Sequence, residues 1–192
     1  MKKLYALLIA LLIALPVYGK GLYVSEVSSR EKVKAGEKKV YYNIVLNKKI
    51  VIKGAKIVNG KKGKFVSLPA VKSKNRWYPV CIVLDKKLRE EINNAVINKK
   101  INKKKNGKIK ITEVRVKKFN GKGKLKGFAS VTLNNAFVIK SMKIIKGKNG
   151  LFVVWPSYRT KSGSYEDMVY ILDRELAAKV KAKILEKYKK MK

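Results

Sequence analysis

The sequence predicts an α+β fold built from two tandem small domains, each an antiparallel sheet followed by a C-terminal amphipathic helix. Three observations carry that expectation: an internal repeat, strand-period alternation within each copy, and a helical apolar stripe at each copy's end. The repeat comes first because self-similarity decides architecture before any local pattern does. The segment Leu46 to Gly60 recurs as Leu133 to Gly147, 87 residues on, and the register continues without a gap. Gly63, Phe65, Val66 and Pro69 fall on Gly150, Phe152, Val153 and Pro156, and about half the positions from 46 to 70 are identical at this offset. Upstream, Val24-Ser25-Glu26-Val27 falls on Ile111-Thr112-Glu113-Val114. One extra residue then enters the second copy, after which Leu84-Asp85 matches Leu172-Asp173.

Local patterns give the elements in order. Thr112, Val114 and Val116 alternate with Glu113, Arg115 and Lys117, the period of a half-buried strand. Asn120-Gly121 and Asn134-Asn135 are hairpin signals. Phe137 to Ile145 reads as a strand, Lys146 to Gly150 as a tight turn, and Leu151 to Trp155 as a further strand stopped by Pro156. Asp173 can cap a helix whose Leu176, Val180, Ile184 and Tyr188 form one stripe, with Lys187, Lys189 and Lys190 at the end where the helix dipole favours cations. The first copy mirrors this with Asp85, Leu88, Ile92 and Val96. Units this small bury little core alone, so the two copies are expected to pack together as a pseudo-dimer.

The expected boundaries are a signal peptide at 1–19, a divergent first domain at 20–97, a basic linker at 98–108 and a second domain at 109–192. Lys2 and Lys3 precede an uncharged run from Leu4 to Val17, broken at Pro16, and Val17-Tyr18-Gly19 supplies small residues around a cut after Gly19. That order describes a secretory signal. The run is shorter than the roughly 20 apolar residues of a spanning helix. The expected location is therefore outside the cytoplasm, secreted or in the envelope. An uncleaved anchor through residues 4–17 is the alternative. The linker's lysines, Lys99, Lys100, Lys103, Lys104 and Lys105, read as an extended solvated segment.

Charge bounds the partners. Lys+Arg number 48 against 12 Asp+Glu, a formal net charge of +36, while hydrophobic content of 46% suffices for a packed core. Such a field favours polyanions: nucleic acid, anionic lipid or acidic wall polymers. A merely solubilising surface is the plainer alternative. With no histidine and one cysteine, Cys81, imidazole chemistry, His/Cys metal sites and an internal disulfide are excluded. Cys81 sits in an apolar run and reads as a small buried side chain. No cofactor, metal or small-molecule substrate is expected, and no enzymatic activity. Glu90-Glu91 and Glu166-Asp167 are adjacent pairs whose members do not face one another. Gly60-Lys61-Lys62-Gly63-Lys64 joins two strands rather than a strand and a helix, so it is a hairpin turn and not a phosphate loop. Trp77, Tyr78, Trp155, Tyr158 and Tyr165 flank the basic loops. They could stack on unpaired bases, or Trp155 could be core and the others partial core.

Ile111 to Val116, Phe128 to Leu133, Gly147 to Val153 and Pro156 to Asp167 resemble the SpoVG (stage V sporulation protein G, septation regulator) family. The specific blocks are Asn149-Gly150-Leu151-Phe152-Val153 and Pro156-Ser157-Tyr158-Arg159-Thr160. In the first copy they become Lys62-Gly63-Lys64-Phe65-Val66 and Pro69-Ala70-Val71-Lys72-Ser73, without the arginine. The resemblance implies a small α+β domain, homodimeric in the family, linked to sporulation, cell division and septation, and to gene regulation through DNA or RNA binding. It implies nucleic-acid contact at the basic loop, which points to Arg159 and Lys161, with Lys72 and Lys74 as the first copy's equivalents; Tyr158, which flanks that loop, joins them as a candidate nucleic-acid-binding residue through stacking. Two copies in one chain then stand where the family has a homodimer.

Overall fold

Both halves of the chain deliver the same succession of elements. The computed structural model describes residues 21–34, 37–73, 75–101 and 107–191. The expected signal peptide, residues 102–106 of the basic linker and Lys74 lie outside these. The first half runs β1 (Val24–Lys34), β2 (Glu37–Leu46), β3 (Ile50–Gly60), β4 (Gly63–Ser67), β5 (Ala70–Ser73), β6 (Arg76–Pro79), β7 (Cys81–Val83) and α1 (Lys86–Ile97). The second runs β8 (Ile111–Lys118), β9 (Leu125–Leu133), β10 (Phe137–Gly147), β11 (Gly150–Val154), β12 (Ser157–Arg159), β13 (Tyr165–Asp167), β14 (Val169–Ile171) and α2 (Arg174–Lys190). Two sheet-rich halves, each closed by a helix, make the α+β fold that the repeat predicts.

Turn chemistry holds the repeat together. Asn47 and Lys48, and at the same places Asn134 and Asn135, all have φ between 51° and 55°, the left-handed pair that a two-residue hairpin loop requires. Each first asparagine also anchors the entry of its copy. Asn47 Oδ1 accepts from Tyr23 N–H at 3.0 Å, and Asn134 Oδ1 accepts from Lys110 N–H at 2.6 Å. Asn47 Nδ2 donates to Gly107 O at 3.1 Å, which ties the first copy to the start of the second.

One local expectation needs correction. Thr112 does not alternate inward with Val114 and Val116. A register shift between Ile111 and Glu113 turns its side chain outward. Its hydroxyl there donates to Thr132 O and accepts from Asn135 N–H, each at 3.1 Å, bracing the turn.

The two copies exchange strands. One sheet has the order β1-β2-β3-β14 with β4 also on β3; the other has β11-β10-β9-β8 with β7 on β10. Thus β7 of the first half pairs with β10 of the second (Phe137↔Val83, Val138↔Ile82, Ile139↔Cys81), and β14 pairs with β3 (Val169↔Ile52, Tyr170↔Val51, Ile171↔Ile50). Flanking backbone bonds repeat the reciprocity: Leu84 N–H to Ala136 O and Leu172 N–H to Lys49 O, both at 2.7 Å. The chain then returns, so α1 packs on β1 and β4 and α2 on β8 and β11.

Each helix starts as the sequence predicts. Asp85 accepts from Leu88 N–H at 2.8 Å and Asp173 from Leu176 N–H at 2.9 Å. Leu88, Ile92 and Val96 are buried, as are Val180 and Ile184, with Leu176 and Tyr188 packed at the margin. Both halves therefore share a single apolar cluster, which includes the exchanged Cys81, Val169 and Ile171. Each buried aliphatic side chain contributes about 1.5–3 kcal/mol, so the exchange binds the copies through the core. Ile101 and Ile109 pack on the same cluster. The expected solvated linker is thus held at its edges by apolar contacts.

Candidate nucleic-acid interface

The block that carries the family resemblance is a small hairpin, β12 with β13, paired as Ser157↔Asp167, Tyr158↔Glu166 and Arg159↔Tyr165. Its loop satisfies its own polar atoms. Thr160 N–H donates to Ser164 O at 2.8 Å, the Thr160 hydroxyl meets those of Ser162 and Ser164 at 2.8 and 2.7 Å, and Gly163 takes φ +86° to close the turn. Arg159 Nε reaches Gly163 O at 3.3 Å, yet Arg159 and Lys161 remain exposed. The loop is a preformed mount for two cations.

The first copy builds the same hairpin from β5 and β6, with Lys72↔Trp77 and Ser73↔Arg76. The pairings place the extra residue of the second copy within the hairpin loop, since Lys72 and Arg159 differ by 87 positions and their partners Trp77 and Tyr165 by 88. Lys72 is exposed beside Trp77. Arg76, also exposed, occupies the place of Ser164. The first hairpin thus lacks the arginine at position 72 but carries one across the strand pair, which a block-by-block comparison misses.

Between the first copy's sheet and the second copy's hairpin lies a cleft of about 440 Å³. Arg30, Lys32, Lys53 and Lys56 line it. Their convergence follows from strand geometry: Arg30 and Lys32 are two apart on β1 and share a face. On β3 an extra residue at Gly54 (φ +86°) resets the alternation, so Ile52 and Ala55 both enter the core while Lys53 and Lys56 both face the cleft. Tyr41 sits among them, with Lys32 and Lys56 Nζ 5.8 and 5.1 Å from its ring centre. The second copy contributes Tyr158, whose hydroxyl donates to Glu166 Oε2 at 2.6 Å. That bond, first, holds the Tyr158 phenol above its ordinary range and the Glu166 carboxyl below its own; Arg30, Lys32 and Lys53 lower Glu166 further.

Among the predicted site residues, Tyr158 lines the cleft, whereas Lys72, Arg159 and Lys161 stand outside its lining, on the hairpins. Trp77 joins the two features, being on the first hairpin and in the cleft wall. The aromatic residues divide. Trp155 is buried with Lys181 Nζ 5.2 Å from its ring, while Trp77 and Tyr165 are 66% and 68% exposed and are not core. Sequence reading missed Arg30, Lys32, Tyr41, Lys53 and Lys56 as a group. Cations two apart on one strand were the available signal; the Gly54 bulge was not.

Other candidate chemistry has structural employment. Glu91 accepts from Val24 N–H at 2.9 Å and Glu166 from Tyr158. Burial pushes the Cys81 thiol up to about 12, which keeps it protonated. Gly60 pairs with Gly63 as a hairpin end (φ of Gly63 +106°). Among the described residues no cluster of three or more His, Cys, Asp or Glu could hold a metal, and no helix is long and apolar enough to cross a membrane.

Comparison with known proteins agrees with the duplication. The SpoVG family model matches residues 22–100 and again 109–190. Similar relatives include the putative septation protein SpoVG of Caldanaerobacter subterraneus subsp. tengcongensis, 42% identical over 84 residues, covering 44% of this chain and 92% of the relative. That of Clostridium perfringens (strain SM101) is 38% identical over 84 residues, covering 44% and 93%, and that of Thermoanaerobacter sp. (strain X514) 40%, covering 44% and 91%. A relative of this kind thus has the length of one copy, and this chain is about two of them end to end. With both halves matched and both built to the same strand plan, the chain belongs to the SpoVG family as a tandem, strand-exchanged pair of its domains.

Proposed function

We propose that this chain is a non-enzymatic nucleic-acid-binding protein that acts outside the cytoplasm, using its two hairpins and the cleft between them as one cationic, aromatic surface. The observation that carries the reading is that cleft: Arg30, Lys32, Lys53 and Lys56 around Tyr41, walled by Trp77 from one copy and Tyr158 from the other. Cations can neutralise phosphates, with affinity that falls steeply as salt rises. The exposed rings of Trp77 and Tyr165 are platforms on which unpaired bases stack irrespective of sequence. Arginines are few, Arg30, Arg76 and Arg159 among them. Planar base-edge readout is accordingly a small part of the interaction, and modest specificity follows.

Binding of the chain from residue 20 onward to single- and double-stranded DNA and RNA, measured from low to high salt, tests this. A linear fall of log affinity with log salt supports it, and no binding at low salt overturns it. Retention on nucleic-acid-free envelopes with weak nucleic-acid binding would favour a second reading, a structural or interaction module of the envelope that binds anionic wall polymers, lipid headgroups or a protein partner. Export rests on the Lys2-Lys3, Leu4 to Val17 and Gly19 pattern. Mass spectrometry of the native N-terminus tests it: a chain beginning at Lys20 supports cleavage, and an intact Met1 supports the anchor. The relatives' name extends the proposal to division-septum regulation in this chain's own setting.

A further inference from the structure

The repeat makes every feature of the cleft comparable with a second position in the same molecule. At the repeat offset Arg30, Lys53 and Lys56 correspond to Lys117, Lys140 and Lys143, so three cations persist. The remaining parts differ. Lys32 and Tyr41 correspond to Phe119 and Phe128, which close on each other edge to face with ring centres 6.4 Å apart. The hydrogen-bonded pair Tyr158 and Glu166 corresponds to Val71 and Tyr78. One position therefore offers a fourth cation, two phenols and a carboxylate; the other offers two phenylalanines, a valine and a single phenol, with no carboxylate.

We propose that the cleft on the first sheet is a single, asymmetric site for one nucleotide unit, a phosphate with its attached base, and that the counterpart position on the second sheet is not. The inference rests on the nucleic-acid reading above and gives it a location and a stoichiometry of one per chain. A volume of about 440 Å³ lies within the range of small-ligand clefts and suits one such unit, not a duplex. Lys53 and Lys56, brought to one face by the Gly54 bulge, supply the phosphate's cations with Arg30 and Lys32. Trp77 supplies the stacking face. Glu166, the carboxylate lining the cleft, disfavours a second phosphate there and leaves an acceptor for an N–H of the base or a sugar hydroxyl.

Charge-matched variants of the full chain test it. Lys53→Gln with Lys56→Gln removes two cations from the proposed site, and Lys140→Gln with Lys143→Gln removes the equivalent two from the counterpart. Titrations use a short single-stranded oligonucleotide and, separately, a nucleoside monophosphate, with thermal unfolding as a check that both variants fold. The first pair is expected to lose about tenfold in affinity and to lower the salt slope by about two, while the second loses less than about threefold. Equal losses from the two pairs would overturn the proposal. Tryptophan fluorescence adds a direct readout, because Trp77 is exposed and Trp155 buried: ligand should quench wild type and leave Trp77→Phe unquenched. Oligonucleotide binding that persists without quenching also overturns the site, whereas absence of all binding at low salt overturns the broader reading instead. A monophosphate that quenches and displaces the oligonucleotide marks free nucleotide as the source; quenching by the oligonucleotide alone marks a unit within a strand.

Discussion

Replacing Ile171 with alanine should unfold both copies together, although the residue belongs to the second. Ile171 lies on β14, is 5% exposed, and pairs with Ile50 in the first copy's sheet. Truncating a buried isoleucine removes transfer energy and leaves a cavity, at a cost of about 2–4 kcal/mol. For a chain of this length about 3 kcal/mol lowers the melting temperature by about 6–12 °C. The informative quantity is where the loss appears. Strand exchange makes the two sheets one cooperative unit, so hydrogen exchange in β2 and β3 should accelerate as much as in β9 and β10, with a single denaturation transition. Exchange-coupled mass spectrometry on wild type and Ile171→Ala, alongside a guanidinium titration, measures both. Two separated transitions, or faster exchange confined to the second copy's sheet, would refute the reciprocal exchange as the basis of stability.

Three further outcomes follow from side chains already placed. Asn47→Ala orphans the Tyr23 N–H and the Gly107 carbonyl and puts alanine at φ 51°; it should cost about 1–3 kcal/mol in chemical denaturation. The Asp173 carboxyl is held below its ordinary value of 3.8, first by the Leu176 N–H and next by the Lys49 ammonium. Its folded-state pKa is depressed, so its contribution is present above pH about 4 and lost as pH falls through the depressed value; an acid titration of wild type against Asp173→Asn should show the gap closing there. Cys81, buried with its thiol raised to about 12, should resist iodoacetamide at neutral pH in the native chain and react on unfolding, at a rate set by release of β7.

What the sequence made legible is what is local. Asn134-Asn135 announces its turn because left-handed backbone favours those residues, and Asp85 and Asp173 announce helix starts because their side chains cap the first free N–H groups. The Leu88, Ile92, Val96 stripe announces its face by period. The exchange of Cys81–Val83 for Val169–Ile171 left no such mark. A three-residue apolar strand has the same pattern whichever sheet it joins, and the partner is chosen by the path of the preceding hairpin. The cleft was illegible for a related reason. Lys53 and Lys56 are three apart, which no strand alternation puts on one face, and the bulge at Gly54 that does so has its counterpart at Ser141, a residue without a sequence signature for φ 58°. Arg159 and Lys161 were legible through the family block, and their exposure agrees with that reading without deciding it.

Joining two copies in one chain also changes what selection can do with them. In a homodimer a substitution at one wall of an inter-copy cleft appears at both clefts, because symmetry repeats it. Here Tyr41 and Phe128, or Glu166 and Tyr78, are independent positions, and the two clefts can part company while the exchanged strands keep the scaffold common. The residues have diverged in that pattern: core partners such as Leu46 and Leu133, or Val66 and Val153, are identical, whereas the cleft walls exchange phenol for phenyl and carboxylate for phenol. The charge pattern of the hairpins follows the same course, with Arg76 in one and Arg159 in the other on opposite strands. A molecule so built presents two unlike faces, so that under the proposed nucleic-acid binding its orientation on a strand would be a property of the single chain.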